Sequence, residues 1–315
     1  MLGFLLRRIC LMLPTIFFVS VIVFSLQQLL PGDPALTLAG DEASPAVVAE
    51  IRAKYHLDDP LLVRYGKWVA GIAHGDLGIS LRTQQTVVEL LKQKIPVTLE
   101  LATLAMIVAL TFGISLGILA AISRGGPLDY AARCVALFGI SMPAFWLGIL
   151  FILLFAVKWR VLPASGYVPL TEGLLDNLRS MIMPATVLGL AVSGVIMRHT
   201  RSAMLQVLSN DYVRTARAKG LTEMTVILVH ALRNAALPII TLGALEFGQL
   251  LSGTVLTETV FSMPGFGKLV VDAVFNRDYA VVQGAVLCTA LVFLLLNLFA
   301  DVAYAVVNPR LRVQS

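Results

Sequence analysis

The sequence predicts an all-α, polytopic membrane protein with six transmembrane helices. Of its 315 residues, 58% are hydrophobic and 14% are charged, and the mean hydropathy is +0.85. Soluble domains carry about 25% charged residues, so this chain has too few charges to cover a water-exposed surface. Its apolar residues also stand in long blocks, and a helix needs roughly 20 of them to cross a bilayer. Composition and block length together indicate a chain whose main partner is the lipid bilayer.

Six apolar blocks are candidates for spanning helices. They are Ile9–Leu30, Val97–Ile122, Ala131–Val157, Met181–Met197, Ala236–Leu256 and Val281–Val307. The first block is too long for the apolar core of a signal peptide and has no small-residue cleavage site, so we expect an uncleaved anchor. Pro143 and Pro184 predict kinks in the third and fourth spans. Gly113 and Gly117 lie one turn apart in the second span, and this spacing of small residues allows close helix approach.

The basic residues predict which side of the membrane each loop faces. Arg7 and Arg8 precede the first span, and Lys and Arg are enriched on the cytoplasmic side of spans. With six spans, both termini then lie in the cytoplasm. The net charge of +5 follows from this topology, because the basic residues lie beside apolar spans and not in a stripe that would bind nucleic acid. We expect no nucleic-acid partner.

The segment over 31–95 is predicted to be helical and to lie outside the cytoplasm. Ser44 and Pro45 suit the N-cap and the first position of a helix. Apolar residues at helical spacing over 61–72 predict a second, amphipathic helix. Those over 87–95 predict a third helix, which lies on the membrane surface.

The inner loop between the fourth and fifth spans is predicted to form two short helices. Asp211 can cap the first helix, and basic residues suit its C-terminal end. Gly220 suits the left-handed position that closes a helix, and Thr222 can cap the second helix. Such a rigid basic projection is either a docking site for a partner protein or a loop that only fixes topology.

Motifs along almost the whole chain resemble one family. The inner loop carries Arg214-Thr215-Ala216, Gly220 and Leu237-Pro238, and the other motifs, in order, are Pro31-Gly32-Asp33-Pro34, Gly75-Asp76-Leu77-Gly78-Ile79-Ser80, Ser141-Met142-Pro143-Ala144-Phe145, Glu258–Gly267 and Arg277-Asp278-Tyr279. The series resembles the membrane subunits of binding-protein-dependent ABC importers, in the branch for dipeptides, oligopeptides, nickel chelates and glutathione. In that family the inner loop, called the EAA motif, inserts a coupling helix into a groove on the ATPase. Here Arg214 replaces the leading Glu of that motif, and Ala280 stands where the branch usually has proline.

The resemblance implies the type I ABC importer permease fold. Its parts are an anchor helix over 1–30, a periplasmic helical segment over 31–95, and a five-helix core over 96–308 with a cytoplasmic coupling loop over 209–235. It also implies that the chain forms half of the channel of an importer for peptides or similar small solutes in the bacterial inner membrane. The implied partners are a second permease, two cytoplasmic ATPases and an external substrate-binding protein. The residues implied to contact the ATPase are Asp211, Tyr212, Arg214, Thr215, Ala216, Arg217 and Gly220.

The sequence carries no motif for catalysis or for a cofactor. No Gly-x-x-x-x-Gly-Lys-[Ser/Thr] loop occurs, so we expect ATP to bind on other subunits. Neither a Gly-x-Ser-x-Gly elbow nor a His-Glu-x-x-His pair is present, and the four histidines do not cluster. We therefore expect neither an enzyme nor a metal site. A secondary transporter, a scaffold without transport activity and an ATP-driven exporter stay open as alternatives.

A polar stripe in the fifth predicted span is a candidate for the translocation path. Glu246, Gln249 and Ser252 lie broadly on one side of that helix. Ionisable groups inside a membrane usually face an interior or a cavity. The same stripe is equally suited to hydrogen bonds with a partner permease.

Overall fold

The computed structural model describes residues 2–29, 34–39, 44–54, 58–80 and 82–307. These residues form fourteen α-helices and two π-helical stretches, without a β-strand among them. The predicted all-α class is therefore confirmed. The chain divides into two compact units, one made of Met1–Pro96 with Lys268–Ser315 and the other of Val97–Gly267.

The first unit combines both ends of the chain. Its helices are α1 (Leu2–Leu29), α2 (Pro34–Ala39), α3 (Pro45–Lys54), α4 (Leu61–Ala73), the start of α5 (Val87–Ile122), most of α13 (Phe266–Phe275) and α14 (Tyr279–Val307). Helix α1 packs against α14. It also contacts α4, because the Phe24 ring lies 5.3 Å from that of Tyr65 and the Ser20 and Tyr65 hydroxyl oxygens are 2.8 Å apart.

The three segments predicted to be helical after the first span are all helical, but the third is not a separate helix on the membrane surface. Helix α3 begins at Pro45, and the Ser44 hydroxyl accepts a hydrogen bond from the Val47 N–H at 3.3 Å. Residues 61–72 lie in α4 as expected. Residues 87–95, however, are the first turns of the 36-residue helix α5. Their apolar face is buried at Val87 and Leu90, so it packs against protein instead of lying on a membrane surface. Residues 31–33 of the predicted turn lie outside the described residues.

The second unit is organised around one long central helix. Besides the rest of α5, it contains α6 (Pro127–Ser141), α7 (Ala144–Phe151) with a π-helical extension (Ile152–Lys158), α8 (Leu174–Leu208), α9 (Asp211–Ala218), α10 (Glu223–Thr225), a π-helical stretch (Val226–Ala231), α11 (Leu232–Gly253) and α12 (Val255–Val260). Helices α6, α7, α11 and α12 all contact α8. The core is apolar and includes Leu101, Met181 and Ile196, which are fully buried.

Glycines allow α5 and α8 to approach closely, as their spacing predicts. A Cβ atom at Gly113 would lie 2.8 Å from the Ile196 side chain, and one at Gly117 would lie 2.6 Å from that of Thr200. Non-bonded carbon atoms pack at about 3.5–4.0 Å, so neither position has room for a larger residue. These two glycines therefore set the distance between the helices.

Three described helices are long and apolar enough to cross a membrane: Val87–Ile122, Leu174–Leu208 and Glu223–Leu251. A fourth span would be formed by Pro127–Ser141 and Ala144–Lys158, which are bent by 101° at their junction. This break lies at Pro143, where a kink was predicted, whereas α8 continues through Pro184. Shorter apolar helices, Cys10–Ser25 and Tyr279–Leu295, lie in the first and last predicted spans. The number of six crossings stays a prediction.

Candidate functional site

Helix α9 follows α8 after a two-residue connection. Asn210 occupies its N-cap position with extended backbone and without a side-chain cap, and Asp211 is the first helical residue. The prediction that Asp211 is the N-cap is therefore wrong by one position. Helix α8 ends at Leu208 with Ser209 as its C-cap, so Asn210 is the residue that precedes α9. The Asp211 carboxylate still lies in the first turn, where the helix dipole favours negative charge.

Gly220 closes α9 as predicted. Its φ is +77°, its N–H donates to the Arg217 carbonyl at 2.9 Å, and the Leu221 N–H donates to the Ala216 carbonyl at 3.4 Å. These two bonds satisfy carbonyls at the helix end that would otherwise lack partners. The Thr222 hydroxyl then accepts from the Thr225 N–H at 3.5 Å, which confirms the predicted cap of the second helix. The chain thus turns at Gly220 between two short helices.

One face of α9 is anchored in the protein. Val213, Ala216 and Val226 form a buried apolar cluster, against which Val207 and Leu208 of α8 pack. The cluster joins α9 both to the end of α8 and to the π-helical stretch before α11. Because a buried apolar face resists rotation and sliding, α9 is held in one orientation.

The other face of α9 is exposed and charged. The Arg214 and Asp211 side chains are 77% and 94% exposed and lie 3.4 Å apart. Arg217 binds Glu223 with both nitrogens of its guanidinium edge, Nε to Oε1 at 2.7 Å and Nη2 to Oε2 at 3.3 Å. This hydrogen bond with the carboxylate raises the pKa of Arg217 above its usual value. The pair bridges the two helices across Gly220.

The polar stripe predicted to line the path lies on α11. Glu246 is half-buried and Gln249 is exposed, while the side chain of Ser252 lies outside the described residues. Helix α11 packs against α8, and the C-terminal end of α8 leads into α9.

Sequence reasoning missed the role of Glu258, a fully buried carboxylate in α12. Thr98 of α5 donates its hydroxyl proton to Glu258 Oε1 at 2.6 Å, and the same hydroxyl oxygen accepts the Phe266 N–H at 2.8 Å. A Cβ atom on Gly265 would lie within 2.4 Å of the Glu258 carboxyl group. Glu258 therefore ties the Met263–Gly267 turn to α5.

A second missed network surrounds Glu100. Its carboxylate accepts hydrogen bonds from the Tyr167 hydroxyl at 2.9 Å and from Asn177 Nδ2 at 2.6 Å. Burial and the Glu100 carboxylate raise the pKa of Tyr167 to about 12. The three residues come from α5, the 159–173 loop and α8, so no local sequence signal reveals this contact.

Two of the quoted motifs meet within the first unit. The Ser80 hydroxyl donates to the Asp278 carboxylate, and both residues are buried. The Thr83 N–H donates to Ser80 Oγ at 3.1 Å. These bonds hold Ser80 and Thr83 beside the start of α14, next to a cavity of about 240 Å³ lined in part by Arg82, Lys94 and Asp272.

A bundle of long apolar helices is typical of a membrane-embedded protein, and the short, exposed, charged helix α9 suits a subunit that contacts a partner. Comparison with known proteins identifies its family. The model of the "Binding-protein-dependent transport system inner membrane component" matches residues 113–313, and the model for the N-terminal part of such components matches residues 1–102. The chain belongs to this family and is an integral inner-membrane permease of an ATP-driven importer.

The chain is similar to several curated permeases over its full length. It is 45% identical to the dipeptide transport system permease protein DppB of Escherichia coli (strain K12), covering 99% of both chains. It is 43% identical to the di/tripeptide transport system permease protein DppB of Pseudomonas aeruginosa (strain UCBPP-PA14), covering 100% of both. These relatives confirm the predicted peptide branch.

A solved structure shares the fold. The MetNI methionine ABC transporter in inward-facing conformations matches with a TM-score of 0.56 and 18% identity, over 70% of this chain and 97% of that chain. The predicted permease fold is thereby confirmed.

We predict that Gly265→Ala lowers stability through its clash with Glu258. Inserting a methyl group into a packed site costs about 1–3 kcal/mol. In a Glu258→Ala background the clashing carboxyl group is gone, so the same substitution should cost less than about 0.5 kcal/mol, as expected when the two residues act through one contact. Thermal unfolding of the four purified proteins in detergent measures both values. Equal losses in the two backgrounds would contradict the close contact.

Proposed function

We propose that this permease forms half of a channel that imports dipeptides or similar short peptides. The sequence similarity to two permeases of dipeptide and di/tripeptide transport supports this substrate class. The other half is a second permease, two cytoplasmic ATPases supply the energy, and an external binding protein delivers the peptide. ATP hydrolysis takes place on the ATPases, in keeping with the lack of a phosphate-binding loop in this sequence.

The observation that carries the proposal is the rigid, exposed helix α9. A docking helix must present side chains to its partner and must also pass on a displacement without deforming. The exposed pair Asp211 and Arg214 meets the first requirement. The buried Val213, Ala216 and Val226 cluster and the Arg217–Glu223 pair meet the second. A loop that only fixed topology would need none of these contacts.

Helix α9 is connected to a long apolar helix on each side: α8 precedes it, and α11 follows it after α10 and the π-helical stretch. Closure of the ATPases moves α9, and α9 pulls on α8 and, through the π-helical stretch, on α11. Alternating exposure of the channel to the two sides of the membrane follows from this movement. The termini lie in the cytoplasm on the same side as α9, in agreement with the excess of basic residues in the predicted inner loops.

Glu246 and its polar neighbours on α11 line the translocation path in this proposal. Glu246 is half-buried in a helix apolar enough to span the membrane, and such groups usually face a cavity or a partner. The π-helical stretch connects α9 to α11, so displacement of α9 also moves the helix that carries the stripe.

The proposal is tested by affinity purification of the tagged chain in mild detergent, with mass spectrometry of the proteins that accompany it. We expect a second permease and two ATPases with the unaltered chain. In the Arg214→Glu variant we expect about tenfold less ATPase, which corresponds to a loss of about 1.4 kcal/mol, with the second permease retained. Reversed charge at the docking face repels the groups that Arg214 attracts.

Arg179→Glu is the matched control for this substitution. Arg179 also pairs with an aspartate three residues earlier in its helix, at 3.6 Å, and is 57% exposed, but it lies in a predicted outer loop. Its variant should recover the ATPase in full. Equal ATPase loss in both variants, or none in either, would count against docking at α9.

Gly220→Val should abolish ATP-dependent uptake of a labelled dipeptide while the protein remains in the membrane. A non-glycine residue with left-handed backbone costs about 1–2 kcal/mol, which the joint between the helices must absorb by changing shape. A Cβ at this position meets no atom within 4 Å, so backbone conformation alone is tested. Gly220→Asn, which tolerates this conformation, should retain uptake. Disappearance of the valine variant from the membrane would instead indicate a folding role.

Glu246→Gln should alter the kinetics of dipeptide uptake, because it replaces an ionisable group in the path with a neutral one of the same shape. The measurement is the rate of uptake against dipeptide concentration in vesicles that contain the assembled complex. Unchanged kinetics with unchanged assembly would remove Glu246 from the path and leave it as a contact between permeases.

A further inference from the structure

A buried ion pair joins the start of α6 to α8. Asp129, in the first turn of α6, is fully buried. Arg201 of α8 donates two parallel hydrogen bonds to it, Nε to Oδ1 and Nη2 to Oδ2, both at 2.8 Å. Two-pronged bonds of this kind fix both distance and orientation, and they are stronger than bonds between neutral groups.

The same carboxylate also organises its surroundings. The Gly125 N–H donates to Asp129 Oδ2 at 2.9 Å, so the turn between α5 and α6 is attached to the pair. Arg133, one turn further along α6, lies 3.1 Å from Oδ1 and is 40% exposed. Arg133 is thus a second, more solvated partner of Asp129, whereas Arg201 is the cation that connects two helices.

The ion pair lies close to the docking helix. Arg201 precedes the end of α8 at Leu208 by two helical turns, or about 10 Å at 1.5 Å per residue. Leu208 itself packs on the buried cluster of α9. The close backbone contacts between α6 and α8 lie on the other side of Arg201 along α8. There Gly139 approaches the Leu190 carbonyl, and Gly194 approaches that of Ala136.

We propose that the Asp129–Arg201 ion pair makes α6 follow α8 when α9 is displaced, so that ATP-driven movement reaches α6 and α7. Both side chains are positioning residues. The pair restrains α6 at the end where the movement enters, since packing alone holds α6 further along α8. This inference rests on the proposed coupling of α9 to an ATPase.

The inference predicts a specific defect, which is ATP hydrolysis with little transport. The assay uses the complete complex, with both permeases, the ATPases and the binding protein, in proteoliposomes. It measures labelled dipeptide transported per ATP hydrolysed. Asp129→Asn, which removes the charge and leaves a side chain of the same shape, should lower this ratio at least fivefold while hydrolysis continues.

Two further variants separate positioning from folding. Arg201→Lys keeps the positive charge but cannot form the two-pronged bond. The transport-to-hydrolysis ratio should therefore fall in this variant as well, by about half of the Asp129→Asn effect on a logarithmic scale. Should Asp129→Asn not assemble, Arg201→Lys decides the question. Arg133→Gln removes the solvated partner of the same carboxylate and should leave the ratio within twofold of the unaltered complex.

Three results would overturn the inference. A ratio unchanged in Arg201→Lys and Asp129→Asn would show that α6 needs no ion pair to follow α8. A parallel fall in hydrolysis and transport would indicate a structural role only. An unaltered complex without ATP-dependent dipeptide uptake would refute the proposed function, and the inference with it, before any variant is compared.

Discussion

Close backbone contact between α8 and its neighbours holds the second unit together. In a bilayer, apolar side chains gain little by leaving lipid, so helices associate through tight packing and polar contacts. Gly117 of α5 and Gly194 of α8 leave no room for a side chain. A Cβ atom would lie 2.6 Å from the neighbouring helix at Gly117 and 2.5 Å from it at Gly194. The ion pair between Asp129 and Arg201 adds a directional contact. Because α8 also ends beside α9, the proposed displacement of α9 acts on this closely packed assembly.

The local chemistry of α9 suits a lever better than a flexible loop. Its eight residues would be marginal as an isolated helix, so it depends on the buried cluster around Val213 and on the helix end that Gly220 closes. Movement of such a helix must be shared by the elements that anchor it. In the proposed mechanism, this dependence lets ATP bound on an ATPase act on a subunit that has no phosphate-binding loop of its own.

Features governed by local rules could be predicted from the sequence. The caps at Ser44 and Thr222 and the left-handed Gly220 depend on residues within one or two turns. The spacing of Gly113 and Gly117 likewise predicts a close helix contact, but it does not identify the helix that they contact. The docking residues themselves stay a prediction, because no partner is present to contact them. Continuation of α5 from Val87 was missed, since periodicity reports which face is apolar but not what covers it.

Contacts between distant residues could not be predicted in the same way. Thr98 and Glu258 are 160 positions apart, and Asp129 and Arg201 are 72 apart. The presence of each residue at its position has an ordinary local explanation. Asp129, for example, is an acidic residue in the first turn of a helix. Their pairing depends on how the helices pack, which a single sequence does not reveal.

Photo-crosslinking from an unnatural amino acid at position 214 in the assembled complex tests most directly whether α9 contacts an ATPase, with position 179 as the control. An adduct with an ATPase subunit at position 214, and none with an ATPase at position 179, is the expected result. Adducts at position 214 with lipid or the second permease alone would contradict ATPase contact at α9.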